Sequence, residues 1–279
     1  MLVVKLGGSV RDPGHVVDEI ASMREPVVLV HGASRELDDL ATRLGSPPRI
    51  VASSRGDTSR YTDSATMDLF LMAYAGKVNK RLVETLRRRG VNAVGLTGLD
   101  GGMVTGRRRA DIRISENGRT VLLHDNHVGS IERVDATLLH ALLSMGYVPV
   151  VAPPIAAEDG TAINVDGDRL AAEIAISLQA DRLVILSDTP GLLRDPGDAT
   201  TRIDLVAVDE VDDLLASMAG RARTKLRAAA SAREAGVDVR LGDGAVERPL
   251  ERVFDGACTA LVERAPVATR QSERGQDRS

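Results

Sequence analysis

At 279 residues with 43% apolar side chains, the chain is long enough for one large α/β domain or two lobes sharing a sheet, with a full hydrophobic core. A formal charge of −4, with three tyrosines, two phenylalanines and no tryptophan, gives neither a global pull toward nucleic acid nor a platform for stacking bases. The single cysteine, Cys258, excludes an internal disulfide and a cysteine-built zinc site; with no leader peptide and no apolar run of about 18 residues, a cytoplasmic, non-membrane protein is expected.

The first strand signal is the run Leu2–Leu6, followed at once by Gly7, Gly8 and Ser9. Lys5 sits inside it, and an ammonium in a buried strand is costly unless it meets an anion. Glycines after a strand let backbone N–H groups approach such an anion closely. The segment therefore predicts a phosphate site at the carboxyl end of the strand, with Lys5 aimed into it. The alternative is an edge strand whose lysine snorkels past an ordinary turn. After a helix to about Met23, residues 26–30 form a second buried strand running into His31-Gly32-Ala33-Ser34, with Leu37, Leu40, Ala41 and Leu44 at helical spacing behind it. Two successive strand–glycine–helix units predict parallel strands whose carboxyl ends line one crevice.

Residues 46–57 are polar and turn-rich, a loop or hairpin. Arg60-Tyr61-Thr62-Asp63 enters a helical pattern with Thr62 or Asp63 as N-cap and an apolar stripe of Met67, Phe70, Leu71, Tyr74 and Val78. A second helical pattern runs from Lys77 to Gly90, and a third strand covers residues 93–96. Residues 104–134 alternate in polarity around the hairpin-turn pair Asn117-Gly118, which predicts a β-hairpin flap in place of another helical crossover. A helix over 135–145 and a strand over 148–152 lead to residues 162–168, which open a further helix. The strand over 183–186 closes on Ser187-Asp188-Thr189-Pro190-Gly191. Helices over 209–218 and 220–235 and short strands near 239–241 and 259–262 complete the pattern. Residues 266–279 are charged and patternless, a disordered tail.

No G-x-x-x-x-G-K-[ST], complete G-x-G-x-x-G, H-E-x-x-H or C-x-x-C is present, which disfavours a P-loop NTPase, a dinucleotide enzyme and the common zinc sites. His124 and His127 are three apart without a third ligand nearby, so surface histidines are favoured over a metal site.

What remains is an ordered set: Lys5-x-Gly7-Gly8, the second turn at Gly32, Arg60-x-Thr62-Asp63, Asn164-x-Asp166-x-Asp168, Leu186-Ser187-Asp188-x-Pro190-Gly191-Leu192, and Lys225 opening an Ala-rich helix. In this order the motifs resemble the amino acid kinase family over about residues 2–262, above all its N-acetylglutamate kinase-like branch. Gly98-Leu99-Asp100-Gly101, Gly106-Arg107-Arg108-Arg109 and Glu116-Asn117-Gly118 are most similar to kinases acting on aminoadipate or glutamate attached to the amino-group carrier protein LysW.

The resemblance implies an α/β fold, an open, mostly parallel sheet sandwiched by helices. It implies two lobes on one continuous sheet: a substrate-binding and dimerisation lobe over 1–170 with the flap at about 104–134, and a nucleotide lobe over 171–265. It implies that ATP, with Mg2+, phosphorylates the side-chain carboxylate of an N-blocked aminoadipate or glutamate in lysine or arginine biosynthesis, giving an acyl phosphate. Lys5 and Lys225 would reach the transferring phosphoryl group from either side, with Asp168 holding both ammonium groups. Gly7, Gly8, Gly32 and Ala33 would cradle phosphate through their N–H groups. Arg60 would clamp a substrate carboxylate and Asn164 contact the α-substituent; Ser187, Asp188, Gly191 and Leu192 would meet the nucleotide. Arg107, Arg108 and Arg109 would dock the acidic carrier, with Arg113 in the same flap. Relatives usually show a second glycine where Ala33 stands, so Ala33 needs a negative φ to offer its N–H. A homodimer with residues 63–89 near its axis is expected.

Each residue has a plainer alternative: Asp168 as a helix cap, Lys225 as a solvated cation, Arg60 paired with Asp57 or Asp63, and the flap arginines as a charged hairpin edge. Competing functions are N-acetylglutamate kinase and a catalytically inactive nucleotide-binding sensor on the same fold. Aminoadipate and glutamate differ by one methylene, worth only about 1–3 kcal/mol of discrimination.

Overall fold

The computed structural model describes residues 1–52, 58–116 and 119–263. The chain begins with β1 (Leu2–Leu6), α1 (Gly14–Ser22), β2 (Val27–His31), α2 (Ser34–Arg43) and the antiparallel pair β3 (Ile50–Ala52) and β4 (Thr58–Arg60). Next come α3 (Ser64–Leu71), a π-helical segment Met72–Val78, α4 (Asn79–Arg88) and β5 (Ala93–Thr97). The middle of the chain forms β6 (Val104–Arg108), β7 (Ile112–Glu116), β8 (Arg119–Leu123), β9 (Gly129–Val134), α5 (Thr137–Ser144), β10 (Val148–Ala152), β11 (Ile155–Ala157), β12 (Ala162–Ile163) and α6 (Gly167–Ser177). The last part comprises β13 (Arg182–Ser187), β14 (Leu205–Ala207), α7 (Val211–Ser217), α8 (Gly220–Glu234), β15 (Asp238–Asp243), α9 (Pro249–Phe254) and β16 (Thr259–Val262).

Eight of these strands make one sheet in the order β14-β16-β15-β13-β1-β2-β10-β5. Its pairings are parallel except β15 with β16. From β1 the chain adds β2 on one side and, much later, β13 on the other, so the carboxyl end of β1 is a topological switch point, where ligands bind in open α/β sheets. The predicted mostly parallel α/β architecture is therefore what the chain adopts.

Side chains alternate across a strand, and β1 divides accordingly. Val3 packs with Val28, Val30, Val151 and Ile185 under the apolar faces of α6 and α8, including Leu170, Ile174 and Leu226. Leu2, Val4 and Leu6 face the other way, with Leu29, Val150 and Val184, against α1, α4 and α9. Lys5 shares the parity of Val3 and so emerges on the α6 face.

The alternating stretch after β5 is a flap, as expected. β6 pairs antiparallel with β9, β11 and β12 extend that small sheet, and β7 with β8 forms a hairpin. Its turn pair Asn117-Gly118 and the tail after residue 263 lie outside the described residues. Several elements differ from expectation. The π-helical segment interrupts what reads as two ordinary helices, β14 is only three residues long, and α9 is a six-residue helix entered from Arg248 at φ 54°. The last two are too short for periodicity to reveal. Among the described residues no helix is long and apolar enough to cross a membrane.

Candidate active site

The strand parity of Lys5 brings its ammonium to 2.6 Å from Oδ1 of Asp168, with both side chains only 10% exposed. Asp168 is free to make this contact because it does not cap α6. The cap is Asp166, whose Oδ1 accepts from the N–H groups of Asp168 and Arg169, each at 2.9 Å. The plainer reading of Asp168 is thus corrected, and Asp166, a motif member to which the sequence reading gave no role, joins the site. Burial first, and then the charge of Asp168, raises the Asp166 carboxyl above its ordinary pKa.

Lys225 approaches from α8, where its ammonium donates to the Ser187 hydroxyl at 2.7 Å. Ser187 ends β13, and its oxygen also lies 3.1 Å from Thr189 Oγ1. Burial lowers the Lys225 pKa; the charge of Asp168 opposes that and the charge of Lys5 adds to it. The expectation that Asp168 holds both lysines is met by contact for Lys5, whereas on Lys225 it acts through space. Two ammonium groups and one carboxylate therefore converge at the carboxyl ends of β1 and β13.

The glycine turns serve differently from expectation. The Gly7 N–H donates to the Leu186 carbonyl and the Gly32 N–H to the Leu6 carbonyl, at 2.8 and 2.9 Å, so neither is available to an anion. Their contribution is space. A Cβ on Gly8 would lie 2.6 Å from Ser34 N and 2.8 Å from Ala33 N, and one on Gly32 would lie 2.8 Å from Gly8 N. The two turns touch, backbone to backbone, which only glycine permits. One residue further on lie Gly8 and the first turn of α2, where helix N–H groups lack intrahelical partners. Ala33 has the required negative φ, −148°.

Arg60 ends β4 and pairs through Nη2 with Asp38 of α2. Asp63 instead caps α3 by accepting from Thr66 N at 2.8 Å, and Asp57 lies outside the described residues. Nη1 of Arg60 is buried with no partner among the described residues, a condition that costs about 1–3 kcal/mol and that a bound carboxylate would relieve. Asn164 stands beside it: its Nδ2 lies 3.4 Å from the Thr62 hydroxyl, and its backbone bonds to His127 and Gly129 at the base of the flap.

In the predicted nucleotide loop, Asp188 is exposed. Gly191 has φ 147° and leaves no room for a side chain, since a Cβ would meet Thr259 Oγ1 at 2.4 Å. Leu192 is 2% exposed and its N–H donates to Thr259 Oγ1 at 2.9 Å. It anchors the loop in the core and is not a contact surface, which corrects its assignment.

The flap arginines separate by strand parity. Arg107 is 68% exposed and 3.0 Å from Glu132, and Arg109 and Arg113 are exposed. Arg108 instead turns inward, donating to the Asn126 carbonyl and pairing with Asp125, both at 2.9 Å. It braces the flap, so its assignment to docking is withdrawn. His124 pairs with Asp111 and His127 with Asp125, and no group of three or more potential metal ligands occurs among the described residues.

Sequence reasoning missed two residues here: Asp166 and Asp38. Asp166 was legible, being the middle member of Asn164-x-Asp166-x-Asp168. Asp38 depends on packing between elements distant in sequence.

Residues 1–243 match the model of the "Amino acid kinase family". The chain is 43% identical over 266 residues to a [LysW]-aminoadipate kinase of Deinococcus radiodurans, covering 94% of this chain and 91% of that protein. It is 44% identical over 238 residues to an acetylglutamate kinase of Methanopyrus kandleri, covering 85% and 92% respectively. Among solved structures it superposes on an N-acetylglutamate synthase of Neisseria gonorrhoeae with coenzyme A and N-acetyl-glutamate, with a TM-score of 0.75 at 26% identity. That match covers 95% of this chain and 59% of the other.

Proposed function

The chain belongs to the amino acid kinase family, and from that premise we propose that it phosphorylates the side-chain carboxylate of an aminoadipate or glutamate whose α-amine is held by an acidic amino-group carrier protein. The observation that carries the chemistry is the convergence of Lys5, Asp168 and Lys225 at the switch point. An acceptor carboxylate oxygen forms a bond to the γ-phosphorus of ATP as the bond to the bridging oxygen breaks, leaving an acyl phosphate and ADP. No covalent enzyme intermediate is required, so the protein's task is positioning and charge neutralisation. Lys5 and Lys225 neutralise opposite sides of the phosphoryl group. Asp168 keeps Lys5 directed into the crevice, and Arg60 clamps the substrate's other carboxylate with its free Nη1.

In this reading residues 1–170 bind substrate and dimerise, with residues 63–89 near the axis, residues 171–265 hold the nucleotide through Ser187 and Asp188, and the enzyme works in the cytoplasm. Mg2+ characteristically takes one or two carboxylates plus substrate phosphates. The donor set fits that pattern, with Asp166 and Asp168 available and no resident three-ligand cluster among the described residues. The ion would enter with ATP, supplying further neutralisation of phosphate charge.

The carrier-linked substrate is favoured by the relative from D. radiodurans and by the exposed arginines on the flap; the relative from M. kandleri keeps free N-acetylglutamate as the second reading. A coupled ADP-release assay with hydroxylamine trapping distinguishes them. Turnover on carrier-linked aminoadipate or glutamate alone is expected. Turnover on free N-acetylglutamate alone would overturn the carrier, and ATP binding without turnover on any acceptor would leave an inactive sensor.

Docking has its own test. Reversing Arg107 and Arg109 together, as Arg107→Glu and Arg109→Glu, is expected to raise KM for the carrier-linked substrate about tenfold at low salt, with KM for ATP unchanged. The effect should shrink once screening shortens to about 8 Å at physiological ionic strength. An unaltered KM at low salt would remove the flap from docking.

A further inference from the structure

The reaction outlined above gives Arg60 the substrate's second carboxylate and gives no task to Asp38, the side chain that holds Arg60. Nη2 of Arg60 pairs with Asp38 Oδ1, while Nη1 is buried without a partner among the described residues. A guanidinium is planar and presents its N–H groups as a rigid fork. Fixing one prong therefore fixes the direction and depth of the other.

Asp38 in turn is carried on a helix tied down from three sides. α2 starts from the Gly32 turn, whose N–H donates to the Leu6 carbonyl of β1 at 2.9 Å. Arg35 donates to the Ser9 carbonyl at 3.0 Å, and Glu36 pairs with Lys77 of the π-helical segment at 2.5 Å. Leu37, 1% exposed, seats the helix in the cluster of Met67, Phe70 and Ala73. Asp38 therefore stands at a fixed place relative to β1. From Ser34, in the first turn of α2, the rise to Asp38 is about 6 Å.

The path from Arg60 also returns to β1 by the other wall. The Arg60 carbonyl accepts from the Thr62 hydroxyl at 3.3 Å. His127 then joins Thr62 to Asn164: its N–H donates to the Thr62 carbonyl at 2.6 Å, and its carbonyl accepts from the Asn164 N–H at 2.7 Å. Asn164 lies one helical turn before Asp168, which meets Lys5 at 2.6 Å. These contacts close a ring from β1 through α2, Asp38, Arg60 and Asn164 back to Lys5. Lys5 and the first turn of α2 stand at one end of the ring, and the Arg60 fork stands at the other.

An acceptor with a carboxylate at each end has to span that ring, so its length becomes part of its recognition. One methylene adds about 1.3 Å to an extended carbon chain. A fork pinned by an ion pair cannot absorb that difference without leaving either Asp38 or the acceptor. We propose that Asp38 is a specificity-determining residue: it sets the depth of the Arg60 fork and so selects the chain length of the dicarboxylate acceptor, aminoadipate against glutamate. The proposal rests on the phosphotransfer reading above and deepens it. Asp38 touches no substrate; it is a positioning residue that acts through Arg60.

The side chain of Asp38 is 41% exposed, so replacing it leaves the core intact. The quantity to measure is the ratio of kcat/KM for carrier-linked aminoadipate to that for carrier-linked glutamate. In the wild type it should differ from one by about tenfold or more, the usual worth of a methylene. Asp38→Asn releases the fork. It should bring the ratio to within about threefold of one and raise KM for the better acceptor, with KM for ATP within about twofold of wild type. Asp38→Glu keeps the pair but lengthens the arm behind Nη2, which advances Nη1 into the acceptor space. The ratio should then move about tenfold toward glutamate, the shorter acceptor. In an Arg60→Leu background neither Asp38 change should alter the ratio further.

Calorimetric Kd values for the same two acceptors, taken with ADP present, give the corresponding ratio without turnover and serve wherever a variant is inactive. A wild-type ratio near one, an unchanged ratio in both Asp38 variants, or a shift that persists in the Arg60→Leu background overturns the gauge. A Kd ratio that follows the expected pattern in a protein that phosphorylates neither acceptor supports the gauge and overturns only the phosphotransfer reading.

Discussion

Lys5→Ala is expected to cut kcat by roughly 10²–10³-fold while KM for ATP changes little. In the proposed mechanism the lysine acts on charge that accumulates as the phosphoryl group is transferred, so its loss falls on the transition state more than on the bound nucleotide. The same substitution should also destabilise the fold. It strands the carboxylate of Asp168, only 10% exposed, and breaking a buried pair from one side costs about 3–5 kcal/mol. Removing both partners, as Lys5→Ala with Asp168→Ala, should recover stability without recovering activity. Lys225→Ala supplies the contrast: its ammonium contacts a hydroxyl, not a carboxylate, so a similar loss of kcat should come with a smaller loss of stability. ADP release and thermal unfolding measured on the same three variants test the assignment. Normal turnover in either lysine variant would sink the two-ammonium mechanism.

Gly8→Ala should be nearly as damaging, for a reason that is steric and local. Its methyl would sit 2.6 Å from Ser34 N and 2.8 Å from Ala33 N, and both are backbone atoms that cannot rotate away. The β1 and β2 turns must part by a fraction of an ångström, and misplacement of reacting groups by about 1 Å costs about 10²-fold in rate. A loss of that order in kcat/KM is expected, with the far-ultraviolet circular dichroism unchanged. Retention of activity would show that the contact between the two turns is dispensable.

The sheet and the lysine were legible because they obey a period. Leu2–Leu6 alternates, so Lys5 had to share a face with Val3, and a cation there needs an anion. The anion itself was legible in kind, while the division of labour between Asp166 and Asp168 was not, because either could cap α6. Arg108 is a different case. Consecutive residues of a strand face opposite ways, so Arg107 and Arg109 could not share a surface with Arg108, and the sequence already contained that distinction. The π-helical segment Met72–Val78 was hidden more deeply. Met67, Phe70, Leu71, Tyr74 and Val78 make an acceptable α-helical stripe, and a five-residue spacing belongs to no ordinary helical period. The use of Gly7 and Gly32 N–H groups by the sheet was equally invisible, since it depends on β13 and β2 standing beside β1.

That neighbourhood has a consequence for the birth of the protein. β1 pairs at once with β2, Leu2 against Val27, but its other edge waits for β13, Leu2 against Arg182. At ordinary synthesis rates of about 5–20 residues per second, the ribosome holds the first strand half-paired for roughly 8–31 s. Throughout that interval the edge of a central strand that is apolar but for Lys5 lies open to other nascent chains, a known route to aggregation. Lys5 is the one charged residue on it, so the side chain assigned to phosphate in the proposed function would also guard the strand during translation.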